Sequence, residues 1–150
     1  MAEEKLILLV EDSDDDALLI TSAFAKAGIQ GRIQLVRDGE QAITYLQGTG
    51  VYSNRAEFPL PDLILLDLRL PGTDGLDVLR WVRRHPQLAS LRVVVLTGSQ
   101  ETRDVDAAYQ SGANSYVAKP PDLDSAVHMA AALGNYWLFV SPGPKLHRPN

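Results

Sequence analysis

Asp67 follows an apolar run that ends at Leu66, Glu11 and Asp12 follow a second run, Thr97 closes a third and Lys119 a fourth. Each residue alone has an ordinary explanation. An aspartate after a strand is commonly a helix cap or turn residue, a threonine an end-of-strand hydroxyl, and a lysine a solvated turn residue. As a set they offer three carboxylates, a hydroxyl and an amine. Crowded carboxylates repel one another, so such a cluster calls for a divalent cation or a raised pKa. Magnesium fits best, because it takes oxygen ligands in octahedral geometry, keeps several waters and sits between one or two carboxylates and a phosphate. With that cation in place, Asp67 can attack a phosphoryl group while Lys119 and Thr97 neutralise and hydrogen-bond its equatorial oxygens.

The elements that must bring these residues together are short apolar runs alternating with longer amphipathic stretches. Strands are predicted at 5–10, 32–36, 62–66, 91–96 and 115–118, and helices at 14–27, 39–47, 75–84, 101–111 and 122–138. Gly28 and Gly112 are placed to end the first and fourth helices, and Pro86 blocks continuation of the third. LILLV, LILL and VVVL are continuous apolar segments, as expected of parallel strands covered on both faces. Right-handed crossovers then lead to an α/β fold, a (βα)5 doubly wound open parallel sheet of order 2-1-3-4-5, as in flavodoxin. In such a sheet ligands bind beyond the carboxyl ends of the strands. That edge is where Glu11, Asp12, Asp67, Thr97 and Lys119 fall.

Composition narrows the setting. The chain has 150 residues and is 45% hydrophobic, enough for one ordinary core. A domain is expected over 1–140, followed by a proline-rich tail at 141–150. Residues 48–61 are long for a connection and rich in turn formers, so an ordered surface insertion is expected. The net charge of −5 argues against nucleic acid as a direct partner. No apolar stretch approaches the ~20 residues that cross a bilayer. The acidic start is unlike a signal peptide, and the absence of cysteine suits a reducing cytoplasm, so a cytoplasmic protein is expected.

Four blocks carry a resemblance: VEDSDDD at 10–16, LILLDLRLPGTDG at 63–75, VVVLTGS at 93–99 and GANSYVAKP at 112–120. In this order and spacing the chain resembles the CheY-like receiver domains of two-component response regulators. The resemblance implies that Asp67 is the phosphoacceptor, that Glu11 and Asp12 form the acidic pocket, and that Mg2+ is held by Glu11, Asp12, Asp67 and the backbone carbonyl of Arg69. Thr97 is then the switch hydroxyl, Lys119 the phosphate-pairing amine and Tyr116 the switch aromatic. Pro120 is expected to follow a cis peptide bond. Arg69 and Ser99 are placed to tune dephosphorylation. The 48–61 insertion and the ending LGNYWLFV are similar to single-domain receivers that serve bacterial and cyanobacterial phytochrome histidine kinases. The implied function is a stand-alone regulator that turns over no free substrate. It would signal through protein contacts with no DNA-binding output domain, since only the short tail follows the fifth helix.

The chain departs from the family pattern in places. Arg69 stands where a small or polar residue is frequent, and can slow attacking water or pair with Glu11. Gly98 replaces a frequent alanine. Pro121 follows Pro120 and blurs the start of the last helix. Asp14, Asp15 and Asp16 read as structural, since carboxylates in a first helical turn suit the dipole. Trp81 and Trp137 read as packing residues. Val127, Met129, Ala130, Leu133, Trp137, Leu138 and Phe139 make the last helix apolar, which points to a homodimer through the helix 4, strand 5 and helix 5 face. Two alternatives compete. Hydrolases of the haloacid-dehalogenase type also form an aspartyl phosphate but carry a second carboxylate two residues on, where this chain has Arg69. A degenerate receiver would keep the fold as a binding module without the chemistry.

Overall fold

The computed structural model describes residues 4–98 and 101–140. Its strands are β1 (Leu6–Val10), β2 (Arg32–Val36), β3 (Leu63–Leu66), β4 (Val93–Thr97) and β5 (Ser115–Ala118). Between them run α1 (Asp14–Lys26), α2 (Gly39–Gln47), α3 (Gly75–Arg84), α4 (Thr102–Gln110) and α5 (Leu123–Leu133). The strands form one parallel sheet in the order β2-β1-β3-β4-β5, as expected. Every residue of β1, β3 and β4 is buried, because helices cover both faces. Strand alternation divides the core in two. Leu8, Val10, Ile64, Leu66, Val93 and Val95 pack under α2, α3 and α4. Ile7, Leu9, Leu63, Leu65, Val94 and Leu96 pack under α1 and α5.

Local chemistry sets the helix starts. Ser13 accepts from the Asp16 N–H, Asp38 from Gln41 and Asp122 from Ser125, each satisfying an otherwise unpaired donor of the first turn. With Asp122 as cap, α5 begins two residues after Pro121, which resolves the start left open by the double proline. The regular helix ends at Leu133, five residues earlier than expected. Gly134–Val140 continue as wider π-helical turns. A Cβ at Gly134 would lie 2.8 Å from the Ile29 side chain, so glycine lets this end press against the connection that follows α1.

The 48–61 insertion is ordered, with a short 3-10 turn at Gly50–Tyr52. Tyr45, Tyr52 and Phe58 form an aromatic cluster with ring centroids 4.9–6.1 Å apart. Arg55 donates to the carbonyls of Tyr45 and Leu46 at the end of α2 and to that of Phe58. A cation over otherwise unpaired carbonyls both satisfies them and opposes the negative helix end. No described helix is long and apolar enough to cross a membrane. The 141–150 tail and Ser99 lie outside the described residues.

Candidate functional site

Backbone bonds gather the strand ends. Asp67 N–H donates to Val10 C=O at 3.1 Å, Glu11 N–H to Val36 C=O at 3.0 Å and Lys119 N–H to Thr97 C=O at 2.9 Å. These bonds set Asp67 beside Glu11, and Lys119 beside Thr97. The loop after β3 folds back over this edge because Gly75 permits it: a Cβ there would lie 2.3 Å from the Asp67 carbonyl oxygen. Any side chain would push the loop away.

Lys119 Nζ lies 2.8 Å from a carboxylate oxygen of each of Glu11, Asp16 and Asp67. An ammonium has three protons, so all of its donors are engaged. Burial alone would lower the Lys119 pKa, but the hydrogen bonds it donates to Asp16, Asp67 and Glu11 outweigh it and hold the amine well above its ordinary value. Glu11 is 1% exposed. Burial, opposed by its Lys119 bond and reinforced by the charge of Asp67, pushes its carboxyl from 4.5 to about 7. Asp67 is buried too, and its Oδ1 accepts from the Arg69 N–H at 3.1 Å.

Ligand atoms of Glu11, Asp12 and Asp67 all lie within 4.8 Å of one another, with Asp12 exposed at the rim. Glu11 and Asp67, with Asp16, share the Lys119 ammonium, which makes no contact with Asp12 among the described residues. A hard divalent ion with oxygen ligands suits such a set, and the exposed Asp12 leaves room for its waters. The residues fit the expected metal.

Asp16, Asp67, Arg69, Thr97, Gly98, Glu101 and Lys119 line an open cleft of about 600 Å3. Thr97 is fully buried, and its Oγ1 has no hydrogen-bond partner among the described residues. A buried hydroxyl left unpaired costs about 1–3 kcal/mol, and Thr97 Oγ1 retains the capacity to donate to an acceptor. A Cβ at Gly98 would meet nothing within 4 Å among the described residues. Tyr116 sits half-buried on β5 against the α2–α4 side of the core, and its N–H donates to the Tyr109 hydroxyl at 3.2 Å.

Three expectations need correction. No described peptide bond is cis, so the Lys119–Pro120 bond is trans. The trans form of X–Pro is favoured by about 0.5–1 kcal/mol, and Lys119 makes its strand and side-chain bonds without the rarer isomer. Arg69 pairs with Asp104 at 3.4 Å and not with Glu11. It lies 71% exposed, whereas Glu11 is buried under Lys119 and Ser13. Asp16, read as a structural residue of the first turn, belongs to the site. Asp14 behaves as expected and pairs with Arg37 on the surface. A helical phase argument separates them: only the third residue of α1 points back across the strand ends toward β5.

A parallel α/β sheet with acidic residues at its first and third strand ends, a hydroxyl at the fourth and an amine after the fifth defines a receiver architecture. The chain belongs to the response regulator receiver domain family, whose profile matches residues 7–131. It is 41% identical over 144 residues to the probable methanogenesis regulatory protein FilR2 of Methanothrix harundinacea, covering 93% of this chain and 88% of FilR2. It is 40% identical over 134 residues to response regulator Rcp1 of Synechocystis, covering 89% of each. The Mn2+-bound structure of Rcp1 superposes with a TM-score of 0.84 at 38% identity, over 94% of this chain and 99% of that one. The phosphorylated cyanobacterial phytochrome response regulator RcpA superposes at 0.87 with 36% identity, over 95% of this chain and 100% of that one.

Proposed function

We propose that this chain is a phosphorylation switch in which Asp67 accepts a phosphoryl group from a histidine kinase. The carrying observation is the cleft, where the Asp67 carboxylate lies beside an ammonium and an unpaired hydroxyl, Thr97 Oγ1. An Asp67 oxygen forms the new P–O bond as the P–N bond of the donor phosphohistidine breaks, and the imidazole leaves with the electron pair and takes up a proton from solvent. Glu11, Asp12, Asp67 and the Arg69 carbonyl would hold Mg2+, which supplies neutralisation of the phosphoryl charge. Lys119 and Thr97 take the phosphoryl oxygens, and Tyr116 follows Thr97. The Mn2+ in the Rcp1 structure supports a divalent cation in such a site.

The similarity to RcpA, described as a phytochrome response regulator, supports a phytochrome-type kinase as the donor. Residues 1–140 form the receiver in this reading, output runs through protein contacts and not DNA, and the acidic, cysteine-free composition suits the cytoplasm. Self-association through α4, β5 and α5 is supported by exposed Tyr109, Leu123, Tyr136 and Phe139. Ala130, Leu133 and Leu138 do not contribute, because they are buried in the core shared with α1. Incubation with magnesium and acetyl phosphate followed by intact mass tests the central claim. One phosphoryl group should be added to the wild type and none to Asp67→Asn. An unchanged wild-type mass refutes it.

A further inference from the structure

Asp16 stands apart from the acidic residues around it. It is the third residue of α1, and its own N–H donates to the Ser13 cap at 3.2 Å. In a capping box the side chain at that position reaches back to the backbone N–H of the cap residue. Here the Ser13 N–H donates instead to Glu11 Oε1, also at 3.2 Å. Asp16 is thereby released from the capping role, and its carboxylate crosses to Lys119 Nζ at 2.8 Å. Asp14 and Asp15, its neighbours in the same turn, are exposed, and Asp14 pairs outward with Arg37.

We infer that Asp16 is a positioning residue that acts through Lys119 as a brake on phosphorylation, an inference that rests on the function proposed above. In the resting protein the three protons of Lys119 are divided among Glu11, Asp16 and Asp67. A phosphoryl group arriving on Asp67 needs at least one of them. Glu11 is buried and fixed by two partners, so the bond to Asp16, whose side chain is 40% exposed, is the one most easily surrendered. Asp16 also lines the cleft and opposes an approaching anion. Both effects work in one direction: Asp16 disfavours the phosphorylated form and hastens return of Lys119 to its resting bonds.

The test compares wild type, Asp16→Asn and Asp15→Asn with acetyl phosphate and magnesium, following the rate of phosphorylation, the decay of phospho-Asp67 and thermal unfolding. Asparagine keeps the shape of Asp16 and removes its charge. A half-exposed ion pair is worth up to about 1 kcal/mol, so Asp16→Asn should phosphorylate roughly two- to fivefold faster, with a longer-lived phospho-form. Asp15→Asn removes the same charge from the same turn without touching Lys119, and should match the wild type. The inference is overturned if Asp16→Asn is unchanged or slower, or if Asp15→Asn accelerates equally, which would make the effect one of general charge. A wild type that takes no phosphoryl group at all refutes the proposed function instead, so the two failures are distinct. An Asp16→Asn protein that melts well below the wild type with unaltered phosphorylation assigns the residue to the helix alone and overturns the brake.

Discussion

Glu11→Gln should make the metal-free protein more stable at alkaline pH. The substituted amide keeps the size and one acceptor oxygen of the glutamate and removes its charge. The Glu11 carboxyl rises from 4.5 to about 7 on folding, chiefly through burial. Below 4.5 the group is neutral in both states and costs the native protein nothing. Between 4.5 and about 7 the unfolded chain ionises while the native one stays protonated, so native stability falls as pH rises. At about 1.4 kcal/mol per pH unit the loss reaches roughly 3 kcal/mol above pH 7. The glutamine variant escapes it. In EDTA at pH 8.5 its melting temperature should exceed that of the wild type by ~5–10 °C, and at pH 5 the gap should shrink to a few degrees at most. Magnesium should close or reverse the gap, because a cation that gains the Glu11 carboxylate as a ligand stabilises the native wild type more than the variant. Calorimetry at the two pH values, with EDTA and with magnesium, measures all four conditions. A variant that melts below the wild type at pH 8.5 in EDTA, or a gap independent of pH, would refute the claim that burial makes Glu11 a strained carboxylate awaiting a cation.

Three further outcomes follow from the same geometry. Thr97→Val removes a buried hydroxyl with no partner among the described residues, so urea denaturation should show a gain of about 1 kcal/mol; a loss beyond that size would mean that Thr97 Oγ1 is bonded in solution. Gly75→Ala forces a methyl toward the Asp67 carbonyl oxygen and should destabilise by about 1–3 kcal/mol while slowing phosphorylation by acetyl phosphate; a neutral result in both would show that the loop need not approach Asp67. Arg55→Leu strips the cation from the carbonyls of Tyr45, Leu46 and Phe58 and should reduce stability by about 2–4 kcal/mol, with faster amide exchange across 48–61; unaltered exchange would contradict its role in ordering the insertion.

The fold was legible because its signals are local. LILLV, LILL and VVVL are short, β-branched or leucine-rich and apolar without alternation, as strands covered on both faces are. The start of α2 was equally readable, since a short polar side chain, Asp38, precedes its first turn, whereas the start of α5 behind Pro120 and Pro121 was fixed only by the Asp122 cap. The end of α5 was not legible, because Gly134–Val140 keep an apolar pattern beyond the regular helix, and Gly134 meets Ile29, more than a hundred residues earlier.

The acidic edge itself followed from sequence alone, since residues that directly follow parallel strands must share one side of the sheet. What sequence could not supply was the direction in which each side chain there points. Asp14 and Asp16 are the same residue type two positions apart, yet one pairs with surface Arg37 and the other with Lys119 across a separation of 103 residues. Arg69 turned to Asp104 because Glu11 was already buried under its own partners. The inward packing of Ala130, Leu133 and Leu138 was likewise settled by neighbours from distant elements. Strand order places backbone atoms, and it is governed by local pattern. The pairing of charges depends on which partners packing has already engaged, and only the assembled tertiary structure decides that.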